Sequence, residues 1–232
     1  MLFNVLGVEG TFILVIGVII LLSLLISMIK GKIDEKRLRA ISDYCVKNGI
    51  QYSEKLTRIP VNSKALSVMG KTGHTNEWNA EMYGNRNGFD FYIFEHYYIV
   101  GSGKHRQHVT DTICILTDNK LDLPQFYVRD EHFFYDDLGK LFGGQDINFE
   151  DDPVFSKKFI LQGKSEPSIR RFFNRKIRDA FVNNHTIGYV YEGSRDCFAL
   201  VKQEKLSAEQ RIAILSDAIK IFKEFEPPKV EF

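Results

Sequence analysis

The sequence predicts an α+β protein in which an N-terminal transmembrane helix precedes an antiparallel sheet of hairpins packed with two or three helices. Residues 11–29, TFILVIGVIILLSLLISMI, contain no charged residue and are long enough for a helix to cross a bilayer. Two pairs of strand-like runs are each joined by a short glycine-containing turn. Amphipathic helical patterns lie before and after the second pair, and hairpins with helices in separate blocks are typical of the α+β class.

The basic residues beside the apolar segment predict its orientation. Residues 1–10 contain no Lys or Arg, whereas the other flank carries Lys30, Lys32, Lys36, Arg37 and Arg39. Because basic flanks stay in the cytoplasm, we expect the N-terminus outside and the C-terminal domain in the cytoplasm. A cleaved signal peptide is the alternative, but it requires a basic start, a shorter apolar stretch and a small-residue cleavage site. The expected division is 1–10 outside, 11–29 in the membrane, 30–33 as a linker, 34–226 as the cytoplasmic domain and 227–232 as a tail.

Composition limits the class of function. The chain of 232 residues has a formal net charge of +1, which gives no indication of a nucleic-acid partner. Its three cysteines, Cys45, Cys114 and Cys197, are widely spaced and odd in number, unlike a secreted disulfide framework. We therefore expect a domain in a reducing cytosol, with no nucleic acid among its partners.

The segment that follows the anchor combines a helical pattern with an irregular one. Residues 34–48 place apolar side chains at helical spacing, with Asp34 as a candidate N-cap and Gly49 as the stop. Residues 62–88 are rich in Gly and Asn, and we expect them to be irregular apart from a short helix over 78–83.

The sheet is predicted from residue 89 onwards. FDFYIFEHYYIV (89–100) and HVTDTICILT (108–117) flank a turn at 101–104 and predict a hairpin whose aromatic first strand lies inside the sheet. Shorter strands are expected at 125–129, 147–149 and 155–162.

Helices and a second hairpin complete the predicted domain. A helix with Pro167 in its first turn carries an apolar face as far as Phe181. Strands at 186–192 and 197–202 form the second hairpin. The last helix starts from a capping box of Ser207 and Gln210 and ends before position 227.

Residues 65–72, ALSVMGKT, match a permissive form of the phosphate-binding P-loop. In such a loop backbone N–H groups cradle phosphate, the Lys contacts the β and γ phosphates, and the Thr hydroxyl contacts magnesium. The loop must follow a buried strand and open a long helix, yet Pro60 precedes this segment and a glycine follows it. We interpret the match as a coincidence and expect no cofactor, which leaves Gly70, Lys71 and Thr72 as a candidate nucleotide loop.

Three histidines and one aspartate lie close together on the first predicted hairpin. Zinc needs three or four nitrogen, oxygen or sulfur ligands around one point, and strand pairing could bring such groups together. The spacing matches no Cys-x-x-Cys or His-Glu-x-x-His pattern. We predict no metal site, and the candidate ligands are His96, His105, His108 and Asp111.

Four arginines lie on the polar side of the helix that contains Pro167. They could bind phosphate or an acidic segment of another copy, although a charged helix face usually meets water. These arginines are Arg170, Arg171, Arg175 and Arg178.

Small residues recur every four positions along the apolar segment, at Ser23, Ser27 and Gly31. This spacing lets two membrane helices approach closely, so self-association through Ser23 and Ser27 is one interpretation. Neither a Gly-x-Ser-x-Gly elbow nor a local signature around a cysteine is present, and the catalytic residues of any enzyme are therefore unknown.

Several segments of the domain belong together as a pattern, beginning with FDFY at 89–92, the turn GSGK at 101–104 and LPQFYVRDE at 123–131. This pattern resembles a family of uncharacterised bacterial membrane-anchored proteins. It continues through DINFE at 146–150, PVFS at 153–156 and the helix after Glu166, and it covers most of residues 34–226. This chain has VTDT at 109–112, where the family has a Gln-Thr-Val-like start of a strand. The resemblance implies this organisation and a bacterial origin, and no activity, cofactor or catalytic residue comes with it.

Together these patterns predict a single-pass protein of the bacterial inner membrane whose cytoplasmic α+β domain is a protein-binding or scaffolding module. The expected partners are the lipid bilayer, through residues 11–29, and a protein at the cytoplasmic membrane face. The alternative is a membrane-tethered hydrolase that uses the candidate nucleotide loop or the candidate metal ligands. The hydrolase requires a nucleotide or metal that binds the folded state, whereas the binding module does not.

Overall fold

An N-terminal helix and an eight-stranded antiparallel sheet covered by helices make up the part of the chain that the structure describes. The computed structural model describes residues 8–70, 75–131 and 146–225. The chain divides into two compact units, Met1–Tyr44 and Cys45–Phe232. The α+β class predicted from the sequence is confirmed.

Helix α1 (Val8–Lys47) runs without interruption through the apolar segment and its basic flank. From Thr11 on, α1 contains a stretch with a mean hydropathy of 3.2 in which no residue is buried. By its length and composition, this helix could cross a membrane. Residues 30–33, expected as a linker, are helical, since no proline interrupts them. Asp34 lies inside α1 and pairs with Arg37 at 2.8 Å instead of capping a separate helix. The predicted stop is confirmed, because Gly49 adopts a φ of 67° just after α1.

The strands lie in the order β1-β2-β3-β4-β8-β7-β5-β6, and every neighbouring pair is antiparallel. Both predicted hairpins are confirmed as β3–β4 and β7–β8. The strands are β1 (Gln51–Lys55), β2 (Asn76–Arg86), β3 (Phe89–Val100), β4 (Gln107–Thr117), β5 (Leu123–Asp130), β6 (Phe159–Gly163), β7 (Tyr189–Arg195) and β8 (Cys197–Lys202).

The prediction of an irregular segment with a helix over 78–83 was wrong, because β2 occupies this part of the chain. Strand β2 pairs with β1 on one side and with β3 on the other. Its Trp78 packs on Phe94 of β3, with ring centroids 5.7 Å apart. The strand also contains a bulge, where Ala80 has a φ of 54°. Neighbouring strands therefore stabilise a segment whose own residue pattern is a poor strand signal.

Three predictions between residues 147 and 184 need correction. The strand at 147–149 is absent, since these residues have no regular structure. The first half of the predicted strand 155–162 is helix α2 (Pro153–Lys158), which starts at Asp152 because its side chain accepts from the Phe155 N–H. The helix after Ser165 is two helices, α3 (Glu166–Phe172) and α4 (Arg175–Asn184), because Asn174 caps a new helix between them. The last helix, α5 (Ala208–Phe222), has the predicted capping box.

The two faces of the sheet have different covers. Helices cover one face through an aromatic cluster in which Phe126, Phe198 and Phe225 pack on one another. A strap, defined here as residues 56–70, covers the other face with two short 3₁₀ turns, Val61–Ala65 and Ser67–Gly70. The strap places Leu66 and Val68 in a core with strand residues such as Phe94, Ile113, Tyr127 and Val190.

Candidate functional site

Two buried carboxylates hold the strap on the sheet. Glu81 of β2 accepts hydrogen bonds from the Thr57 N–H (3.0 Å), the Thr57 hydroxyl (2.7 Å) and the Arg58 N–H (3.0 Å). Glu192 of β7 accepts from the Ser67 N–H (2.6 Å), the Ser67 hydroxyl (2.7 Å) and the Val68 N–H (3.3 Å). Each carboxylate is at most 1% exposed. The same arrangement therefore fixes both ends of the strap.

The candidate nucleotide loop overlaps with the end of this strap. Gly70 ends a 3₁₀ turn, whereas Lys71 and Thr72 lie outside the described residues. The N–H groups of Ser67 and Val68, inside the matched segment, already donate to the internal carboxylate of Glu192. These two donors are thus engaged within the protein and do not face a phosphate.

The hairpin register brings two of the candidate metal ligands together and separates the others from them. His96 lies opposite Asp111, while His108 lies opposite Ile99 and so points to the other face of the sheet. His96 is buried and stacks on Trp78 with ring centroids 3.7 Å apart. His105 lies in the 3₁₀ turn between the strands. Within residues 8–70, 75–131 and 146–225, no group of three or more His, Cys, Asp or Glu side chains could hold a metal ion.

Three of the four arginines on α3 and α4 are paired. Arg170 contacts Glu166 at 2.7 Å, and Arg175 contacts Asp179 at 3.5 Å. Arg178 is buried and contacts Asp151 at 2.7 Å and Asp152 at 2.9 Å. Burial alone would raise the pKa of Asp152, but hydrogen bonds from Arg178 and from the Phe155 N–H hold that pKa below its usual value. The Arg171 guanidinium contacts no partner among the described residues.

Ser23 of α1 donates its hydroxyl to the Ile20 carbonyl at 2.7 Å, which satisfies this polar group within its own helix.

A pocket of about 740 Å³ lies beside the ends of β5, α2 and α4, and we call it the Ile187 pocket. Val154 and Ile187 line it and are 62% and 77% exposed. Beyond α1, the large hydrophobic residues that are exposed in the described chain are these two and Ile59, at 38%. Beyond α1, the two most exposed large apolar side chains of the described chain therefore share one concave surface. The charged residues that line the pocket are Asp130, Glu131, Lys157 and Lys158 together with His185.

A buried imidazole and carboxylate form one wall of the Ile187 pocket. His185 Nε2 lies 2.5 Å from Asp130 Oδ1, and Asp130 Oδ2 accepts from the Gly188 N–H at 2.8 Å. Burial lowers the pKa of His185 below its usual value, although the Asp130 carboxylate acts in the opposite direction. The neutral imidazole then donates from Nε2, and Nδ1 is an acceptor with no hydrogen-bond partner in the described residues. The wall thus contains a buried hydrogen-bond acceptor, His185 Nδ1, that is closed to solvent.

A second concave surface, which we call the Arg171 groove, has a volume of about 530 Å³. It lies where the β4–β5 turn, the α3–α4 junction and the end of α5 meet. Apolar residues of its lining include Leu123, Phe172, Ile177 and Phe225. Its charged residues are Lys120, Asp122, Arg171, Lys176 and Glu224.

Sequence reasoning identified Arg171 but not the Ile187 pocket. The pocket combines side chains from β5, α2 and the α4–β7 connection, and a strand was predicted where α2 lies. The one local signal was Ile187, an apolar residue between Thr186 and Gly188 in a connection where polar residues are usual.

Comparison with known proteins gives one similarity of fold. No family model matches the chain, and no curated protein matches it. A solved structure, that of the mycobacterial trehalose monomycolate transport factor A, TtfA, is similar with a TM-score of 0.54 at 11% sequence identity. The match covers 84% of this chain and 98% of that chain. The two proteins therefore share a fold.

Proposed function

We propose that this chain is a single-pass membrane protein whose folded domain binds a protein partner at the cytoplasmic face of a bacterial inner membrane. Helix α1 supports the membrane location by its length and hydropathy. The basic flank after residue 29 supports a cytoplasmic domain. A tether of this kind raises the effective concentration of two membrane partners without any new contact.

The exposure of Val154 and Ile187 in one pocket is the observation that carries the proposed binding function. Solitary exposed apolar residues are ordinary, but two in one concavity leave apolar area in water unless a ligand covers it. Sites that bind ligands are concave, mostly apolar and provided with a few fixed polar groups. In the Ile187 pocket, the Asp130 carboxylate, which His185 and the Gly188 N–H hold in place, and the charges of Glu131 and Lys157 are such groups.

The similarity of fold to TtfA is consistent with a role in transport. That protein is named a transport factor, and the match covers 84% of this chain. We propose that the folded domain of this chain acts as a scaffolding module, and that the chain belongs with the uncharacterised membrane-anchored proteins that its sequence resembles.

Purification of the tagged full chain from its native membranes tests the binding function. We expect a membrane protein to copurify in near-stoichiometric amount with the wild type and to be lost with Ile187→Asp or Val154→Asp. Ile59→Asp is the matched control, since it places the same charge on an exposed isoleucine outside the pocket. Equal recovery of that partner with Ile187→Asp and with the wild type would refute the proposed site.

The orientation is tested separately by labelling. Lys104 is exposed in the β3–β4 turn, and Cys114 and Cys197 are buried, so a Lys104→Cys variant presents an accessible thiol. A membrane-impermeant maleimide should label this thiol only after the cells are opened. Labelling in intact cells would place the domain outside.

A further inference from the structure

Arg171 differs from its neighbouring arginines in its contacts. Arg170, Arg175 and Arg178 each pair with a carboxylate of α3, of α4 or of the segment before α2. The Arg171 side chain is exposed and makes no ion pair within the described ranges. Three arginines therefore form ion pairs with carboxylates of the same chain, and the fourth lines the Arg171 groove.

The floor of this groove is apolar. Phe172 and Phe225 pack edge to face with ring centroids 5.1 Å apart, and Leu123 is buried beside them. Phe172 is partly exposed, so its ring is accessible from the groove. An aromatic floor under a free guanidinium has the composition of an interface hot spot, in which Arg and aromatic residues are enriched.

The charge of the groove favours an acidic ligand. Lys176 contacts Glu224 at 3.0 Å, so this pair is largely neutral towards a ligand. Lys120 and Arg171 then face the single carboxylate of Asp122. Asn174 caps the ten-residue helix α4 at the groove, and the positive end of the helix dipole adds to the cationic potential.

We propose that the Arg171 groove binds an acidic peptide segment of a protein partner, with an aromatic side chain of that segment on Phe172 and its carboxylates on Arg171 and Lys120. The planar guanidinium can take a carboxylate through two parallel hydrogen bonds. The apolar floor lies inside a concavity of about 530 Å³, which a side chain can enter and a bilayer surface cannot. This site shares no residue with the Ile187 pocket and does not depend on the function proposed for it.

Fluorescence anisotropy with the full chain in zwitterionic nanodiscs tests the proposal. The probe is the fluorescein-labelled peptide Gly-Asp-Glu-Phe-Asp-Glu-Gly, and the comparison peptide carries Ser in place of Phe. We expect the wild type to bind the probe, and Arg171→Glu to weaken the binding at least about tenfold. Loss of the aromatic ring from the peptide should also weaken binding, and added salt should do the same.

Lys104→Glu is the control, because it makes the same change of charge at an exposed site away from the groove. It should leave affinity within about twofold of the wild type, and Arg171→Glu should unfold at the wild-type urea concentration, since Arg171 makes no internal ion pair. If both variants weaken peptide binding equally, the overall charge of the protein and not the groove determines the affinity, and the proposal is overturned. An absence of peptide binding to the wild type would also overturn it. Binding of the wild type, but not Arg171→Glu, to phosphatidylglycerol vesicles without binding of the peptide would assign the groove to a membrane surface and also overturn it.

Discussion

Replacement of Glu192 should release the strap from the sheet, and the structure sets the expected size of the effect. Glu192 accepts three hydrogen bonds from Ser67 and Val68, all across the buried face of the sheet. A hydrogen bond to a charged group contributes about 1.5–3 kcal/mol net, and part of this is recovered when the freed groups meet water. We expect Glu192→Ala to lower the free energy of unfolding by about 3–5 kcal/mol, a large share of the usual total of about 5–15 kcal/mol.

The conservative variant Glu192→Gln separates the effect of the lost charge from the effect of the lost hydrogen bonds and side-chain volume. In Glu192→Gln the amide oxygen can still accept from the two N–H groups, and the amide nitrogen can donate to the Ser67 hydroxyl, which can turn to accept. The loss should therefore be only about 1–2 kcal/mol, chiefly from the missing charge. Glu54→Ala on the exposed part of β1 is the matched control and should change stability by no more than about 0.5 kcal/mol.

Urea unfolding followed by tryptophan fluorescence measures these differences. Trp78 is the only tryptophan of the chain, and it packs against the core beneath the strap, so its emission reports this side of the sheet. Extrapolation to water gives the free energy of each variant if the transitions are two-state. An equal loss in Glu192→Gln and Glu192→Ala, or a loss below about 1 kcal/mol in Glu192→Ala, would refute this account of the strap.

Three further predictions concern buried charge and buried thiols. The pKa of Asp152 is lowered in the fold, so its ionised form stabilises the protein above the unfolded value of 3.8, and this stabilisation is lost as pH falls through the folded value. Urea titrations should show that Asp152→Asn lowers stability at pH 7 by about 1–3 kcal/mol and that the difference narrows on acidification; a constant difference would contradict this. Arg211 of α5 forms a buried ion pair with Glu95 of β3, so Arg211→Met removes the opposite charge beside this carboxylate and should cost about 3–5 kcal/mol, whereas the double variant with Glu95→Met should recover part of this loss in the same assay; additive losses would argue against the pair. Burial raises the pKa of the Cys197 thiol to about 12 and also raises that of Cys114, so Ellman's reagent should react with neither at neutral pH until urea unfolds the chain.

The elements that could be predicted are those whose own residues carry the signal. The β3–β4 hairpin has two long strand-like runs on either side of Gly101, whose φ of 76° suits a turn, and α5 has its capping box within four residues. Strand β2 could not be predicted, because Gly84 and several polar residues give it a weak strand pattern of its own. These residues form a strand because β2 pairs with β1 on one side and with β3 on the other. Helix α2 was mistaken for a strand because the decisive signal is one side chain, Asp152, at its N-terminus.

The candidate site depended on contacts that sequence spacing does not give. The Ile187 pocket exists because β5 and β7 are neighbours in the sheet, which brings Asp130 and His185 together. That order follows from the packing of the whole sheet, and no local pattern encodes it. The four arginines of α3 and α4, in contrast, could be located from the sequence. Only the structure distinguishes Arg171 from its neighbours, because those neighbours form ion pairs.

Site-specific photo-crosslinking from Ile187 tests the central claim of a protein-binding pocket most directly. A benzophenone amino acid replaces Ile187 in the full chain in native cells, and Ile59 carries it in the control chain. We predict a discrete crosslinked product with one membrane protein from Ile187, no such product from Ile59, and loss of the product when Val154→Asp is added. Absence of a protein adduct from Ile187, or the same adducts from both positions, would contradict the account.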